Sequence, residues 1–367
     1  MNKQSGLPLG SVIGILGGGQ LGRMLSLSAS QLGFKTHIYD PDFNAPAKQV
    51  TNLSSTFKYD DINNLKNFAK NVDVITYEFE NIPLDTIRVC QEIKNVYPNS
   101  RSLEICQDRT NEKKFLNNMG IKTVKFVVAS SYENITDGIK QLGLPVVIKT
   151  SRFGYDGKGQ KIISQKEEIE KVASQFNNIP IIIEEMIDFE LEMSVIICRD
   201  MDGKISAYDP SENVHQNGIL IESKVPANIS LSIASDAIII ASKIIRNLEY
   251  IGTMGIEFFL TKSKQLLVNE MAPRVHNSGH WTQSGCIISQ FEQHIRAITG
   301  NSIGDGKRHS NILMKNILGE NIYNIRYDSE SSLNIYGKDD AKLSRKMGHS
   351  NILNKKKGLL APFFLLN

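Results

Sequence analysis

The sequence predicts a multidomain chain, α/β at its start and α+β beyond, on three observations. Residues 12 to 16 (VIGIL) are an apolar run that passes through GGGQLG into a helical pattern and a second apolar run, THIYD, which is a βαβ opening. From about residue 120 the texture changes to strands broken by glycine. With 367 residues, 41% of them hydrophobic, the chain is long enough for two or three cores.

The elements follow in order. VDVITYEF at 72 to 79 reads as another buried strand and completes a small doubly wound domain. A helical stretch near 109 to 118 ends at Met119-Gly120, and the strands KFVVAS, PVVIKT, QKIIS and PIIIEEMI come next. EMSVIICRD and GKISAYDP read as a strand pair, Leu231 to Leu248 as a helix and GTMGIEFFLTKSKQLLVNEM as a hairpin. Beyond Gly300 the chain turns polar and Asn-rich, with short strands in ILMKNILG and SLNIYGK. The expected divisions are 1–107, 108–300 with a lid over about 120–186, and a small C-terminal domain at 301–367.

Forty-two basic residues stand against 39 acidic ones, a formal charge of +3, and the charges are interspersed and not gathered into basic blocks, so nothing predicts a nucleic-acid partner and none is expected. Cys90, Cys106, Cys198 and Cys286 lie far apart with no C-x-x-C pair and read as free thiols. No apolar run approaches the roughly 18 residues that span a bilayer, and the start MNKQSG lacks a signal peptide's apolar stretch. The expectation is a soluble cytoplasmic enzyme with no membrane partner.

Several segments carry chemistry. Gly17, Gly19 and Gly22, with Asp40 ending the next strand, satisfy a dinucleotide fingerprint, although any tight β-to-α turn near an anion needs such glycines. The second glycine-rich segment runs through Gly154, Tyr155, Asp156, Gly157, Lys158, Gly159 and Gln160. Its backbone N–H groups and Lys158 could close over phosphates, or it is a solvated hairpin. Lys149 favours the first reading: it shares a strand face with Val147, where a lysine is costly without an anion. Backbone from Glu184 and Glu185 through Met186 to Ile187, at a strand end, could meet an adenine edge, and Glu192 could meet the ribose hydroxyls.

A turn at Ser263-Lys264 sets Leu260 opposite Leu267 and Glu257 opposite Glu270. Like charges directly opposed across strands are destabilising, so a cation belongs between them, and two carboxylates suit Mg²⁺, with Asn269 as an added contact. Arg274, His276, Asn277, Ser278 and His280, in APRVHNSGHWT, read as a second anion site or as a capped helix start. His215 by itself reads as a structural histidine.

Lys149, GYDGKGQ, EEMI, the Glu257/Glu270 pair and NEMAPRVHNSGH together resemble, in order and spacing, the ATP-grasp enzymes, and among them the 5-(carboxyamino)imidazole ribonucleotide synthetases of purine biosynthesis. GGGQLGRM, YEFEN, the DR at 108 to 109, ENVHQNGIL and RKMGH resemble that family's own motifs, and the likeness covers nearly the whole chain. It implies an ATP-grasp fold with an N-terminal Rossmann-like domain and a small C-terminal domain, assembled as a homodimer. It further implies that Arg109, Lys149, Lys158, the backbone from Glu184 to Ile187, Glu192, His215 and Asn269 hold ATP. Glu257 and Glu270 would bind Mg²⁺, with Mn²⁺ as the alternative ion.

Gln20, Leu21, Glu78, Tyr155, Asp156, Arg274, Lys338 and Arg345 would shape the site for 5-aminoimidazole ribonucleotide or bicarbonate, so that GGGQLG serves the substrate and not a dinucleotide. The implied reaction carboxylates the ribonucleotide through carboxyphosphate. Asp156, Lys158, Arg274 and His215 are the catalytic candidates, Asp156 as the proton-handling group. Val275 departs from the family's usual proline in RPHNSGH. The rival readings are a formate-using ligase on glycinamide ribonucleotide, an NAD-dependent oxidoreductase and a silent nucleotide-binding regulator.

Overall fold

A computed structural model describes residues 6–154, 159–327 and 329–353. Tyr155, Asp156, Gly157 and Lys158 of the glycine-rich loop lie outside the described residues.

The first unit is built as the sequence predicts. β1 (Val12–Leu16), α1 (Gln20–Gln31), β2 (Lys35–Tyr39), β3 (Leu53–Ser55), α2 (Ile62–Lys70) and β4 (Val74–Tyr77) form a parallel sheet ordered β3-β2-β1-β4. The central strand β1 (VIGIL) and its neighbour β4 (VITY) are short apolar runs, which suits strands covered on both faces, while β3 (LSS) is an exposed edge. Two helices, α3 (Leu84–Gln91) and α4 (Ser100–Cys106), lead out of it.

The helix α5 (Arg109–Asn118) joins this unit to the next. Asp108 caps it, accepting from the N–H groups of Thr110 and Asn111 at 2.9 and 3.1 Å, and Gly120 at φ 69° releases the chain from it. β5 (Phe126–Ala129), α6 (Tyr132–Leu142), β6 (Val146–Thr150), β7 (Gln160–Ile163), α7 (Ile169–Gln175) and β8 (Ile181–Glu185) follow. Their antiparallel sheet runs β5-β8-β6-β7 and buries Ile148, Ile181 and Ile183 with Ile135, Ile139 and Val172 of the two helices. It is a small core of its own.

A larger antiparallel sheet holds the remaining strands. β9 (Phe189–Arg199), β10 (Ile205–Ala207), β11 (Ser211–Gln216) and β12 (Ile219–Val225) precede α8 (Leu231–Asn247), β13 (Gly252–Thr261) and β14 (Leu266–Ala272). After α9 (Thr282–Gly285) and α10 (Gln290–Ile298), the chain returns as β15 (Ile312–Leu318), β16 (Ser331–Ile335) and β17 (Lys346–Leu353). The order is β14-β13-β9-β11-β12-β15-β17-β16, with β10 on β9. The C-terminal strands therefore do not form a sheet apart: β15 pairs along β12 from Glu222↔Lys315 to Val225↔Ile312 and covers what would be an open edge. α8 packs Ala237, Ala241, Ile244, Ile245 and Leu248 onto Val195, Met254 and Ile256, the i, i+4, i+7 stripe of a helix lying on a sheet. No helix among the described residues is long and apolar enough to cross a membrane.

His294 of α10 joins the parallel sheet to the large one. Its Nδ1 accepts from the Thr253 N–H at 3.1 Å, which leaves the proton on Nε2 to donate to Thr76 Oγ1 of β4 at 2.8 Å. Burial holds its pKa at about 3, and burial likewise holds His349 and, with Arg274 adding to it, His276 at about 3. A histidine neutral when folded but protonated below about 6.5 when unfolded gives the unfolded state more protons as pH falls. Stability is then lost below 6.5 by about 1.4 kcal/mol per pH unit per group. Buried carboxylates whose pKa is raised act with the opposite sign, so the test is a difference: the stability of wild type minus that of His294→Gln, from urea unfolding, is expected to fall between pH 7 and pH 5 by one group's share. A difference independent of pH would contradict it.

Candidate active site

The hairpin of β13 and β14 brings the two carboxylates together by a route the sequence did not show. The turn has three residues, Lys262 to Lys264, closed by the Thr261 N–H on Gln265 O at 3.0 Å, with Lys264 at φ 63°. Leu260 therefore faces Leu266, not Leu267 as expected from a turn at Ser263-Lys264. A bulge at Asn269 adds one residue to β14 and restores the register, so Glu257 still faces Glu270. Bulges re-aim side chains beside functional sites, and here Asn269 and Glu270 together answer Glu257. Glu257 is pushed up to about 7, by burial first and by Glu270 second. Asn269 Oδ1 is buried without a hydrogen-bond partner. Two opposed carboxylates, one holding its proton near neutral pH, and an unsatisfied amide oxygen are a donor set that fits a hard divalent cation.

Positive charge reaches this pair from α5. Arg109 places Nη1 3.2 Å from Glu270 Oε2 and Nη2 3.5 Å from Gly154 O, at the root of the glycine-rich loop. Its neighbours on the helix face, Glu112 and Lys113, are buried as well. Glu112 accepts the Met271 N–H at 2.5 Å and is pushed up to about 8, by burial and then Glu270. Lys113 lies 3.0 Å from Glu184 Oε1, while Lys149 lies 2.5 Å from Glu184 Oε2. Burial opposes ionisation of Glu184, yet the two lysines hold it at about 2. The anion that Lys149 needed is thus partly in the chain itself.

The backbone after Glu184 is less open to a base than expected. The Glu185 N–H donates to Lys125 O at 2.9 Å and the Met186 N–H to Pro145 O at 3.2 Å, which leaves Ile187 and the carbonyls as the groups of that segment to meet adenine. Glu192 on β9 accepts from, or donates to, His215 on β11 through Nδ1. Burial works against charge on His215, but Glu192 and Glu257 raise its pKa above the ordinary value. It is therefore paired within the site and is not the isolated structural histidine that its sequence context suggested. Below it, Ser194, Ser211, Asn213 and Ser223 form a buried hydrogen-bonded floor, and Ser194 Oγ donates to Ser278 Oγ at 2.6 Å.

The glycine turn after β1 is closed to a dinucleotide. The Gly18 N–H donates to Asp40 Oδ2 at 2.7 Å, and the Gly19 and Gly22 N–H groups donate to the two oxygens of Glu78 at 2.8 and 3.1 Å. The chain's own carboxylates stand where a pyrophosphate would, and Asp40 is not available for a ribose. A Cβ at Gly19 would come within 2.6 Å of Glu78, so the turn is shaped around that side chain. Glu78, expected at the substrate, anchors this turn through its two oxygens. The Leu21 side chain belongs to the core with Ile13 and Phe291, so only its backbone at the helix start faces outward chemistry; Gln20 beside it is half-buried.

Arg274 forks onto Glu80, Nε to Oε2 and Nη2 to Oε1, the latter at 2.9 Å, in a half-buried pair that keeps Glu80 at about 2 against the effect of burial. His276 Nε2 lies 3.7 Å from Glu257 Oε1 and its Nδ1 meets Ser278 Oγ at 2.8 Å. Ser278 is wholly buried, and its hydroxyl meets Ser194 Oγ and His276 Nδ1. Asn277 pairs with Asn316 of β15. His280 is walled in by Phe291, Tyr336 and His349, away from the carboxylates. Val275 packs into the core with Phe291 and Ile295, so its departure from proline sits on an apolar contact. Lys338 donates to Lys346 O at 2.7 Å and Arg345 to Asp340 O at 3.1 Å. The sequence reading passed over Lys346, whose charge acts on Glu257, His215 and His276, along with Glu80, Glu112 and Lys113. Glu80 lay in the quoted YEFEN, and Arg109, Glu112 and Lys113 at i, i+3 and i+4 gave the signal of one helix face.

A small four-stranded sheet with a glycine loop, facing a large antiparallel sheet that carries a paired-carboxylate hairpin, defines an ATP-grasp ligase. The ATP-grasp domain family matches residues 114–291, the ribonucleotide synthetase preATP-grasp domain residues 11–107, and the phosphoribosylaminoimidazole carboxylase C-terminal domain residues 313–361. N5-carboxyaminoimidazole ribonucleotide synthase of Brucella melitensis is 44% identical over 354 residues, 95% of this chain and 98% of the relative. The Staphylococcus aureus synthetase structure, complexed with ADP, has a TM-score of 0.91 at 37% identity and covers 97% of this chain and 95% of its own. The Aspergillus clavatus structure, with ADP and 5-aminoimidazole ribonucleotide, has a TM-score of 0.86 at 28% identity over 94% of each chain. The chain belongs to the N5-carboxyaminoimidazole ribonucleotide synthase family, ligases that carboxylate 5-aminoimidazole ribonucleotide with ATP in purine biosynthesis.

Removing one partner of the half-buried Arg274–Glu80 fork leaves a partly screened charge without its partner, at about 1–3 kcal/mol. Glu80→Gln is expected to lower the urea midpoint accordingly, and the pair Glu80→Gln with Arg274→Met to recover part of the loss. Additive losses would contradict the pairing.

Proposed function

We propose that this chain attaches bicarbonate carbon to the exocyclic amine of 5-aminoimidazole ribonucleotide, ATP first activating bicarbonate as carboxyphosphate. The observation that carries the reading is the Glu257/Glu270 opposition beside Arg109, with the unsatisfied Asn269 Oδ1 at its bulge. Mg²⁺, or Mn²⁺, held by Glu257 and Glu270 with Asn269 beside them, would supply positive charge to the polyphosphate oxygens. Arg109 and Lys149 add charge from the body and the lid sheet, and the loop from Gly154 to Gln160, with Lys158, closes over the phosphates. Adenine takes the backbone around Ile187, and Glu192 with His215 holds the ribose end.

The substrate side lies toward the parallel sheet. The first turn of a helix leaves its leading N–H groups without intrahelical partners, and with Gly22 committed to Glu78, those of Gln20 and Leu21 suit a phosphate. Arg274, fixed by Glu80, holds bicarbonate, while His276, Asn277, Lys338 and Arg345 border the ribonucleotide. Lid closure excludes water from a short-lived intermediate, and Asp156 takes the proton from the amine. The divisions 1–107, 108–300 with its lid over about 120–186, and 301–367 are the functional units. A homodimer in the cytosol is proposed from the family resemblance.

ADP release from Mg-ATP tests the reading, measured with and without the ribonucleotide and bicarbonate in degassed buffer. Release should require the ribonucleotide, couple to product as bicarbonate is added, and fall to background in Glu270→Ala. Release that persists in Glu270→Ala would reject the metal assignment, and none under any condition would turn attention to formate. Asp156→Asn at full synthetase rate would remove the proton assignment.

A further inference from the structure

Lys113 is an ammonium with 1% of its side chain exposed, on a helix that contributes Arg109 to the site. Such a charge is costly in the interior unless it is paired. Glu184, itself 4% exposed by side chain, would by itself neutralise one lysine, yet it meets two, Lys113 at 3.0 Å and Lys149 at 2.5 Å. The buried triad therefore keeps one net positive charge. Lys113 also reaches the carbonyl of Asn269, the bulge residue, at 3.3 Å. It thus joins the lid strand β8 to the hairpin that carries the opposed carboxylates.

We propose that Lys113 is a positioning residue for the nucleotide: by neutralising Glu184 it leaves the charge of Lys149 available to the polyphosphate, and it fixes the lid strand against the carboxylate hairpin. Were Lys113 absent, Glu184 and Lys149 would form a closed neutral pair and the nucleotide would meet no net charge from them. Lys113 acts through Glu184 and through the Asn269 carbonyl. The proposal rests on the nucleotide-site reading and goes beyond it, since that reading gives Lys113 no part.

The test is calorimetric affinity for Mg-ADP, with KM for ATP and for the ribonucleotide measured alongside. Lys113→Met is expected to weaken Mg-ADP by about tenfold or more, the scale of losing an outer partner of a ligating group, and to leave the ribonucleotide KM unchanged. Lys113→Met with Glu184→Gln keeps the triad's net charge, so the double variant is expected to regain affinity to within about threefold of the wild type. The double variant leaves Lys149, 13% exposed by side chain, without its carboxylate, so folding of both variants is checked by circular dichroism, and Lys113→Arg, which keeps the charge and is expected to hold wild-type affinity, keeps the test available should either fail to fold. Wild-type affinity in Lys113→Met, or a double variant as weak as the single one, would overturn the proposal. Failure of the wild type to bind Mg-ADP would instead overturn the nucleotide site itself.

Discussion

Two carboxylates face each other across β13 and β14, and much of the surrounding structure is arranged about that repulsion. Glu257 and Glu270 share a register position on apolar strands, Glu257 with 15% of its side chain exposed and Glu270 with 36%. The fold places Arg109 against Glu270, His276 near Glu257, and the charge of Lys346 close by. Even so, Glu257 stays near 7 and Asn269 Oδ1 stays unsatisfied. A site that tolerates this in its own chain is complementary to a cation and to the phosphates that accompany it.

The same economy of charge governs the glycine turn of the parallel sheet. Its N–H groups are satisfied by Asp40 and Glu78, so a strand-turn-helix that elsewhere cradles a pyrophosphate is here held rigid by internal anions. The leading N–H groups of the helix, at Gln20 and Leu21, are not taken up by either carboxylate. Fold similarity to dinucleotide-binding domains does not carry their chemistry with it.

The order of elements was legible because each carries a local signature. VIGIL before GGGQLG, the Asp108 cap before α5, Gly120 at its end and the 3.6-residue stripe of α8 all act within a few residues of themselves. The Glu257/Glu270 opposition was also legible, although for an incomplete reason: a three-residue turn shifted the strands by one and the Asn269 bulge shifted them back. Neither event has a signal in TKSKQLLVNE strong enough to read, since both depend on how β13 is held by β9 on its other side.

What sequence alone determined was the family, the fold class and the residue types of the nucleotide side, because glycine spacing, apolar period and paired acids are properties of short segments. Partner choice was decided only by tertiary structure. Lys113 and Glu112 carry no local sign of burial and are buried only because β8 and β14 close over them, and Glu80 acquires its role only when Arg274 arrives from 194 residues away. A charged side chain's meaning depends on which opposite charge the fold sets beside it and how much water remains, and both are fixed by long-range packing.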